Sequence, residues 1–425
     1  MTRKPLIFAA IAIVLLAGCV ALWIMWEPGI AAVQLAPASS FDRQLKLDGA
    51  RIVALGDCAV CHTAKGGKPF AGGLPLATPF GTIYATNITP DTDTGIGAWS
   101  LDAFTRALRR GISRDGHQLY PAFPYIHFTR ISDHDVAAAY AYLMSRDPVK
   151  ATTPGNKLIF PLNFRPLVAF WNVMFLRPGE RAADTAQSVE WNHGRLLVDG
   201  LGHCTACHSP LNVIGAEKSG QAFDGGQVDG WDAPPLNQLS NAVKPWTKEQ
   251  LVTYLRTGRA SEHGAAAGPM LPVTRDLATV PKEDVEAIAS YILSIQHAAS
   301  PAIEAASTTP ATTASAQRGA ILFNGSCASC HGNGSPMQTI GTRPTLAFST
   351  AVNAQTPRNA IQMMMGGVPW HGEDTMNYMP PFGDVFSNDQ LADLATYLRA
   401  DYSKRAQWEA VNDSVVKIRK ENDTR

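Results

Sequence analysis

The sequence predicts an all-α protein: three tandem helical domains with loop-rich crevices, set behind a single N-terminal transmembrane helix. Three observations predict it. Six of the seven cysteines fall into three copies of one five-residue pattern, C-x-x-C-H. A pair of amphipathic helices recurs around each copy, and an almost unbroken apolar run opens the chain.

That run, Leu6 to Trp26, follows Arg3 and Lys4. Twenty-one residues at helical rise are long enough to cross a bilayer. Trp23 and Trp26 sit where an interfacial aromatic belt belongs, and the basic end stays inside. Everything after Trp26 is therefore expected on the periplasmic side of the cytoplasmic membrane, with residues 1–30 as an anchor or uncleaved signal. Leu16-Ala-Gly-Cys19 also looks like a lipoprotein cleavage box, which would tether the chain by a lipid on Cys19. The apolar continuation from Val20 to Trp26 favours the helix.

The cysteine pattern reads Cys58-Ala-Val-Cys61-His62, Cys204-Thr-Ala-Cys207-His208 and Cys327-Ala-Ser-Cys330-His331. C-x-x-C-H is the attachment signal for c-type haem. Thiols at i and i+3 share one side of a helical turn and reach both vinyl groups, while the adjacent histidine takes the proximal position on iron. A zinc site would need four ligands close together, whereas these pairs lie more than 100 residues apart. Three covalent haems are expected, held by Cys58, Cys61, Cys204, Cys207, Cys327 and Cys330.

Each motif follows a short amphipathic helix: Gly49 to Gly56, Gly194 to Gly200 and Arg318 to Phe323. Each domain then closes with a helix of period three to four, at 135–143, 284–292 and 390–398. Two such helices crossing over a haem make the cytochrome c arrangement. A middle helix runs from Ser100 to Gly111 in the first copy and Thr247 to Gly258 in the second, with an N-cap residue and a glycine stop at its ends. The expected domains are 41–150, 190–297 and 316–401. Residues 298–315 are rich in Ala, Ser, Thr and Pro and read as a flexible linker, and 402–425 as a charged, solvent-exposed tail. The connection 151–189 contains Leu158 to Leu176, too apolar for a free linker. It lies on the membrane, lines a quinone pocket with Arg165, Trp171 and Arg177 at the interface, or packs between the first two domains.

The sixth iron ligand separates the domains. A methionine sulfur there raises the potential. Met270 in Gly-Pro-Met-Leu-Pro is the candidate in the second domain, and Met379 in Tyr-Met-Pro-Pro-Phe-Gly in the third; Met376 and Met363 to Met365 compete. Met270 lies 24 residues after Trp246, but 24 residues after Trp99 stands Phe123, which cannot ligate. His127 is the expected ligand of the first haem, giving a bis-histidine site of lower potential; His117, Met144 or no sixth ligand are the rivals.

Gly56-Asp-Cys58-Ala-Val-Cys61-His62-Thr-Ala-Lys-Gly-Gly, Gly81-Thr-Ile-Tyr-Ala-Thr-Asn-Ile-Thr-Pro-Asp91, Gly95-Ile-Gly-Ala-Trp99 and Gly230-Trp-Asp-Ala-Pro-Pro-Leu-Asn237 resemble the triple-haem cytochrome subunits of bacterial membrane-bound dehydrogenases, over almost the whole chain. The resemblance implies an electron-transfer subunit without catalytic residues of its own. Such a subunit takes electrons from a large catalytic dehydrogenase subunit, with or without a small iron–sulfur subunit, and delivers them to ubiquinone. Tyr120-Pro-Ala-Phe-Pro-Tyr-Ile-His127 and His263-Gly-Ala-Ala-Ala-Gly-Pro-Met270 look more like the branch serving molybdenum hydroxylases of aldehydes or N-heterocycles than the quinoprotein alcohol or flavin sugar dehydrogenase branches. A shuttle to a terminal oxidase and a free-standing haem peroxidase or oxidase are the competing functions. Charge is balanced, 36 basic against 36 acidic residues, so there is no basic footprint for nucleic acid.

Overall fold

The computed structural model describes residues 4–297, 313–335, 344–369, 378–403 and 405–423. The chain forms two compact units: Met1–Ala183 with Asp199–His203, and Asp184–Val198 with Cys204–Arg425.

The first unit opens with α1 (Lys4–Met25), exposed from Ile7 to Val20 and half-buried at Ala21, Ile24 and Met25. Its stretch Ile7–Met25 is, among the described residues, the one helix long and apolar enough to span a bilayer. The chain leaving it is fastened down at once. Arg110 pairs with Glu27 at 2.5 Å, Arg106 Nη1 donates to the Pro28 carbonyl at 2.6 Å, and the Ile30 amide donates to Arg114 O at 2.7 Å.

Helix α2 (Arg43–Leu55) starts on Asp42, whose carboxylate accepts from the Leu45 amide. Next come α3 (Cys58–Cys61) and α4 (Leu101–Arg110), the latter capped by Ser100 and stopped by Gly111 at φ 64°. A single turn, α5 (Tyr125–Phe128), precedes α6 (Asp133–Met144). Helices α2 and α6 cross at Gly49, where an added Cβ would lie 2.0 Å from the Ala138 carbonyl oxygen and 2.7 Å from Tyr142 Cβ. Strands β1 (Pro75–Thr78) and β2 (Gly81–Tyr84) form an antiparallel hairpin, extended by β3 (Lys157–Leu158). Helix α7 (Val168–Phe175) packs against α1.

The second unit repeats the plan twice. Helices α8 (Val189–Leu196) and α9 (Thr205–His208) precede the hairpin β4 (Gly226–Val228) and β5 (Trp231–Ala233). Then come α10 (Lys248–Thr257), α11 (Met270–Thr279) and α12 (Lys282–Ser294). Here the crossing is Gly194 against the Ala287 carbonyl, 2.0 Å from an added Cβ. The last stretch holds α13 (Ala314–Ser326), α14 (Ala328–His331), α15 (Arg358–Gly366), α16 (Asn388–Tyr402) and α17 (Val411–Asp423). Its crossing is Gly319 against the Asp393 carbonyl, at 2.1 Å. One construction serves all three: a glycine on the leading helix, a carbonyl on the closing helix, and a tyrosine (142, 291 or 397) one turn on. Close approach of two backbones leaves no room for a side chain, which is why glycine stands there.

The fold is α-rich, but three features differ from the all-α expectation. The loops around the first two motifs form small sheets: Gly81, at φ 121°, brings β2 tightly against Lys157, and Asp229 and Gly230, at φ 44° and 68°, turn β4 into β5. Residues 270–279 are helical, with Pro272 tolerated in the first turn, where its missing N–H costs nothing. The tail is not a fraying exposed helix. α17 buries Val415 and Ile418, Arg419 donates to the carbonyls of Gly383 and Phe386, and Glu421 pairs with Arg358 at 2.6 Å. The expected linker falls mostly on 298–312, outside the described residues.

Candidate haem sites

The first two motifs are built alike. In each, a residue with positive φ ends the leading helix and turns the chain into the motif: Asp57 at 51° before Cys58, and His203 at 37° before Cys204. One helical turn then carries both thiols, neither in a disulfide, with the histidine at its end. His62 Nδ1 donates to the Thr86 carbonyl at 2.6 Å, and His208 Nδ1 to the Pro234 carbonyl at 2.7 Å. Such a bond fixes the tautomer and leaves the Nε2 lone pair for a metal. Burial lowers the pKa of both rings and the carbonyl contact partly offsets it, which favours the neutral form that a metal ligand needs.

The loop behind each histidine repeats bond for bond. The Gly72 amide donates to His62 O at 2.8 Å, and Gly225 to His208 O at 2.9 Å. Phe70 and Phe223 both sit in the left-handed region, at φ 64° and 65°, held by Thr63 Oγ1 and Ser209 Oγ. A non-glycine residue there is strained by roughly 1–3 kcal/mol, and two copies of the same strain mark a shared structural demand. Which carbonyl accepts from which histidine is visible only in three dimensions. The third motif has the same turn, Ala328–His331; the loop 336–343 that follows lies outside the described residues.

Thiol pairs on one turn beside a histidine fit a covalently attached haem; His62 and His208, each with Nδ1 pinned, and His331 are the candidates that would hold its iron. Known proteins agree on haem c as the cofactor. Residues 47–147 match the cytochrome c family model, and residues 314–398 match that of cytochrome c oxidase, cbb3-type, subunit III. The chain is 33% identical over 391 residues to the fructose dehydrogenase cytochrome subunit of Gluconobacter japonicus, covering 85% of this chain and 80% of that one. It is 35% identical to the gluconate 2-dehydrogenase cytochrome c subunit of Pantoea cypripedii, covering 88% and 89%. It belongs to the dehydrogenase cytochrome c subunits. It is thus an electron-transfer protein carrying covalent haem c. It is also 47% identical over 406 residues to a nicotinate dehydrogenase subunit of Pseudomonas putida; this match covers 95% of the chain but spans about a third of that relative (34%).

The distal candidates lie in unlike settings. Met270 is the first residue of α11 and half-buried, after Gly268 at φ 52°. Trp231 packs on that glycine so closely that a Cβ would lie 2.3 Å from the indole. Met379 is half-buried beside the third-domain core, its amide and carbonyl both bonded to Val368. Met364 and Met365 are core residues of α15, and Met376 lies outside the described residues. His127 sits on α5, 2% exposed, with Nδ1 bonded to the Asp199 carbonyl at 3.0 Å. Of its rivals, Met144 is buried in α6 and His117 pairs with Asp115 at 2.6 Å in a half-exposed loop. His263, which the sequence offered only as the start of the string ending at Met270, is buried, stacked on Trp246 at 3.7 Å and bonded to Gln250.

Proposed function

We propose that this chain is a three-haem subunit that takes electrons from a molybdenum hydroxylase of N-heterocycles or aldehydes and passes them to ubiquinone. The observation that carries the choice of partner is the 47% identity to the nicotinate dehydrogenase subunit over 95% of the chain, against 32–35% to the sugar and alcohol dehydrogenase subunits. Nicotinate is itself an N-heterocycle. The partner proposed is a large catalytic dehydrogenase subunit, with or without a small iron–sulfur subunit.

Three glycine crossings, each beside one C-x-x-C-H, support three cytochrome c domains at 41–150, 190–297 and 316–401. When bound, the haems supply one-electron carriers whose potentials follow their axial ligands. Met270 and Met379 are the sixth ligands in the second and third domains. His127 serves the first, its Nδ1 bond to Asp199 O selecting the tautomer that presents Nε2. Helix α1 anchors the chain in the cytoplasmic membrane with the haem domains in the periplasm.

The test is to purify the native complex through a C-terminal tag and assay metals and cofactors against haem. One molybdenum per three haems is the expected result. Quinone cofactor or flavin would move the chain to the alcohol or sugar branch, and haem alone would leave a shuttle.

A further inference from the structure

The connection between the first two haem motifs has two faces of opposite character. Its inner face is committed to the protein. Val168, Ala169 and Trp171 of α7 are buried, Tyr125 Oη donates to Asn172 Oδ1 at 2.6 Å, and Arg165 stacks over Tyr120 while donating to the Gln118 carbonyl. Trp171 is thereby buried, and Arg165 is half-buried and turned to Tyr120 and Gln118. The outer face is apolar and bare: Phe160 is 84% exposed and Val173 62%, joined by Ile159, Phe164 and Met174. A rigidly held apolar surface of this kind marks an interaction site.

Its position selects the occupant. Helix α7 packs against α1, and the chain leaving α1 is clamped by Glu27–Arg110 and by Arg106 on the Pro28 carbonyl. The apolar face is therefore fixed beside the exit of the membrane span instead of hanging from a loose tether. Lys157 and Arg177, both exposed, flank it, as cations do where an apolar surface meets lipid headgroups. We infer that residues 159–164 and the outer face of α7 insert into the outer leaflet of the bilayer crossed by α1. This second membrane contact would hold the first haem domain at a set height and tilt. The inference rests on the anchor reading of α1.

The probe is a phospholipid with a carbene-generating diazirine on its acyl chain, in vesicles holding the full-length, haem-loaded chain; adducts are mapped by peptide mass spectrometry. We expect adducts on 159–164 and 173–174 at the level found on α1, with none on α2. Adducts on α1 alone would overturn the inference. So would adducts on 159–174 that vanish when the catalytic partner is bound, since a protein would then be the occupant. An α1 that is unlabelled or cleaved away removes the anchor reading instead, and adducts on 159–174 would still support lipid contact.

Discussion

The first and second haem sites are the same on one side and different on the other. Proximally they match bond for bond, from the positive-φ residue before each motif to the carbonyl that pins each histidine. The segments holding the proposed distal ligands differ: the first has the single turn α5 with a buried His127, and the second the ten-residue α11 starting on Met270. The proximal side must satisfy two thioethers and one ligand within five residues, so its geometry tolerates little change. The distal side has one bond to make and a whole loop to make it with, which leaves room for divergence and for tuning the potential.

The largest effects should come from the distal side. His127→Ala should turn one haem of the set high-spin and able to bind carbon monoxide, while Met270→Ala does so at the second site; an unchanged His127→Ala spectrum would reduce His127 to a core residue. Phe123→Met should raise the first haem's potential by a sizeable part of the ~0.8 V range that axial ligands cover, as read by redox titration.

Next come the crossings. Gly49→Ala, Gly194→Ala and Gly319→Ala each force a Cβ to within about 2 Å of a carbonyl oxygen and should cost roughly 3 kcal/mol or more in thermal unfolding. Gly325→Ala, with nothing within 4 Å, should be neutral or mildly stabilising. Unequal costs among the three would break the shared construction.

A smaller difference lies in acid stability. Burial first and the Lys244 charge second push the His263 pKa down to about 4, with the Lys244–Glu262–Gln250 cluster as its polar neighbours. The folded state therefore holds this ring neutral, while the unfolded chain takes up its proton below about 6.5. Its stabilising contribution is complete above about pH 6.5 and should fall by about 2–3 kcal/mol towards pH 4. His263→Gln should flatten that slope in the second unit. The half-exposed His117 of the first unit, whose pKa burial lowers and Asp115 partly restores, should show less of it.

The smallest expected effect concerns what braces the hairpin ahead of each pinning carbonyl. In the first site strand β3 lies along β2. In the second, Asn359 imitates a strand residue, accepting from the Asp232 amide at 2.9 Å and donating to its carbonyl at 2.8 Å. Asn359→Ala should cost about 1–2 kcal/mol and broaden the second haem's potential without altering the first.

By itself the sequence placed the turn at each C-x-x-C-H, the helix pairs and their caps, because each depends on residues within one or two turns. Ser100, Thr247, Gly111 and Gly258 cap α4 and α10 as their local chemistry requires. The amphipathic period of the closing helices showed which face they bury. Tertiary structure alone decided the rest. The partners of His62 and His208 lie 24 and 26 residues away, on carbonyls that carry no side-chain signal. The tail folds back because Val415 and Ile418 find a core elsewhere in the chain, though its charge suggested solvent. His263 is buried because Trp246 covers it. Contacts between distant segments depend on how elements pack, and no local pattern of residue types records that.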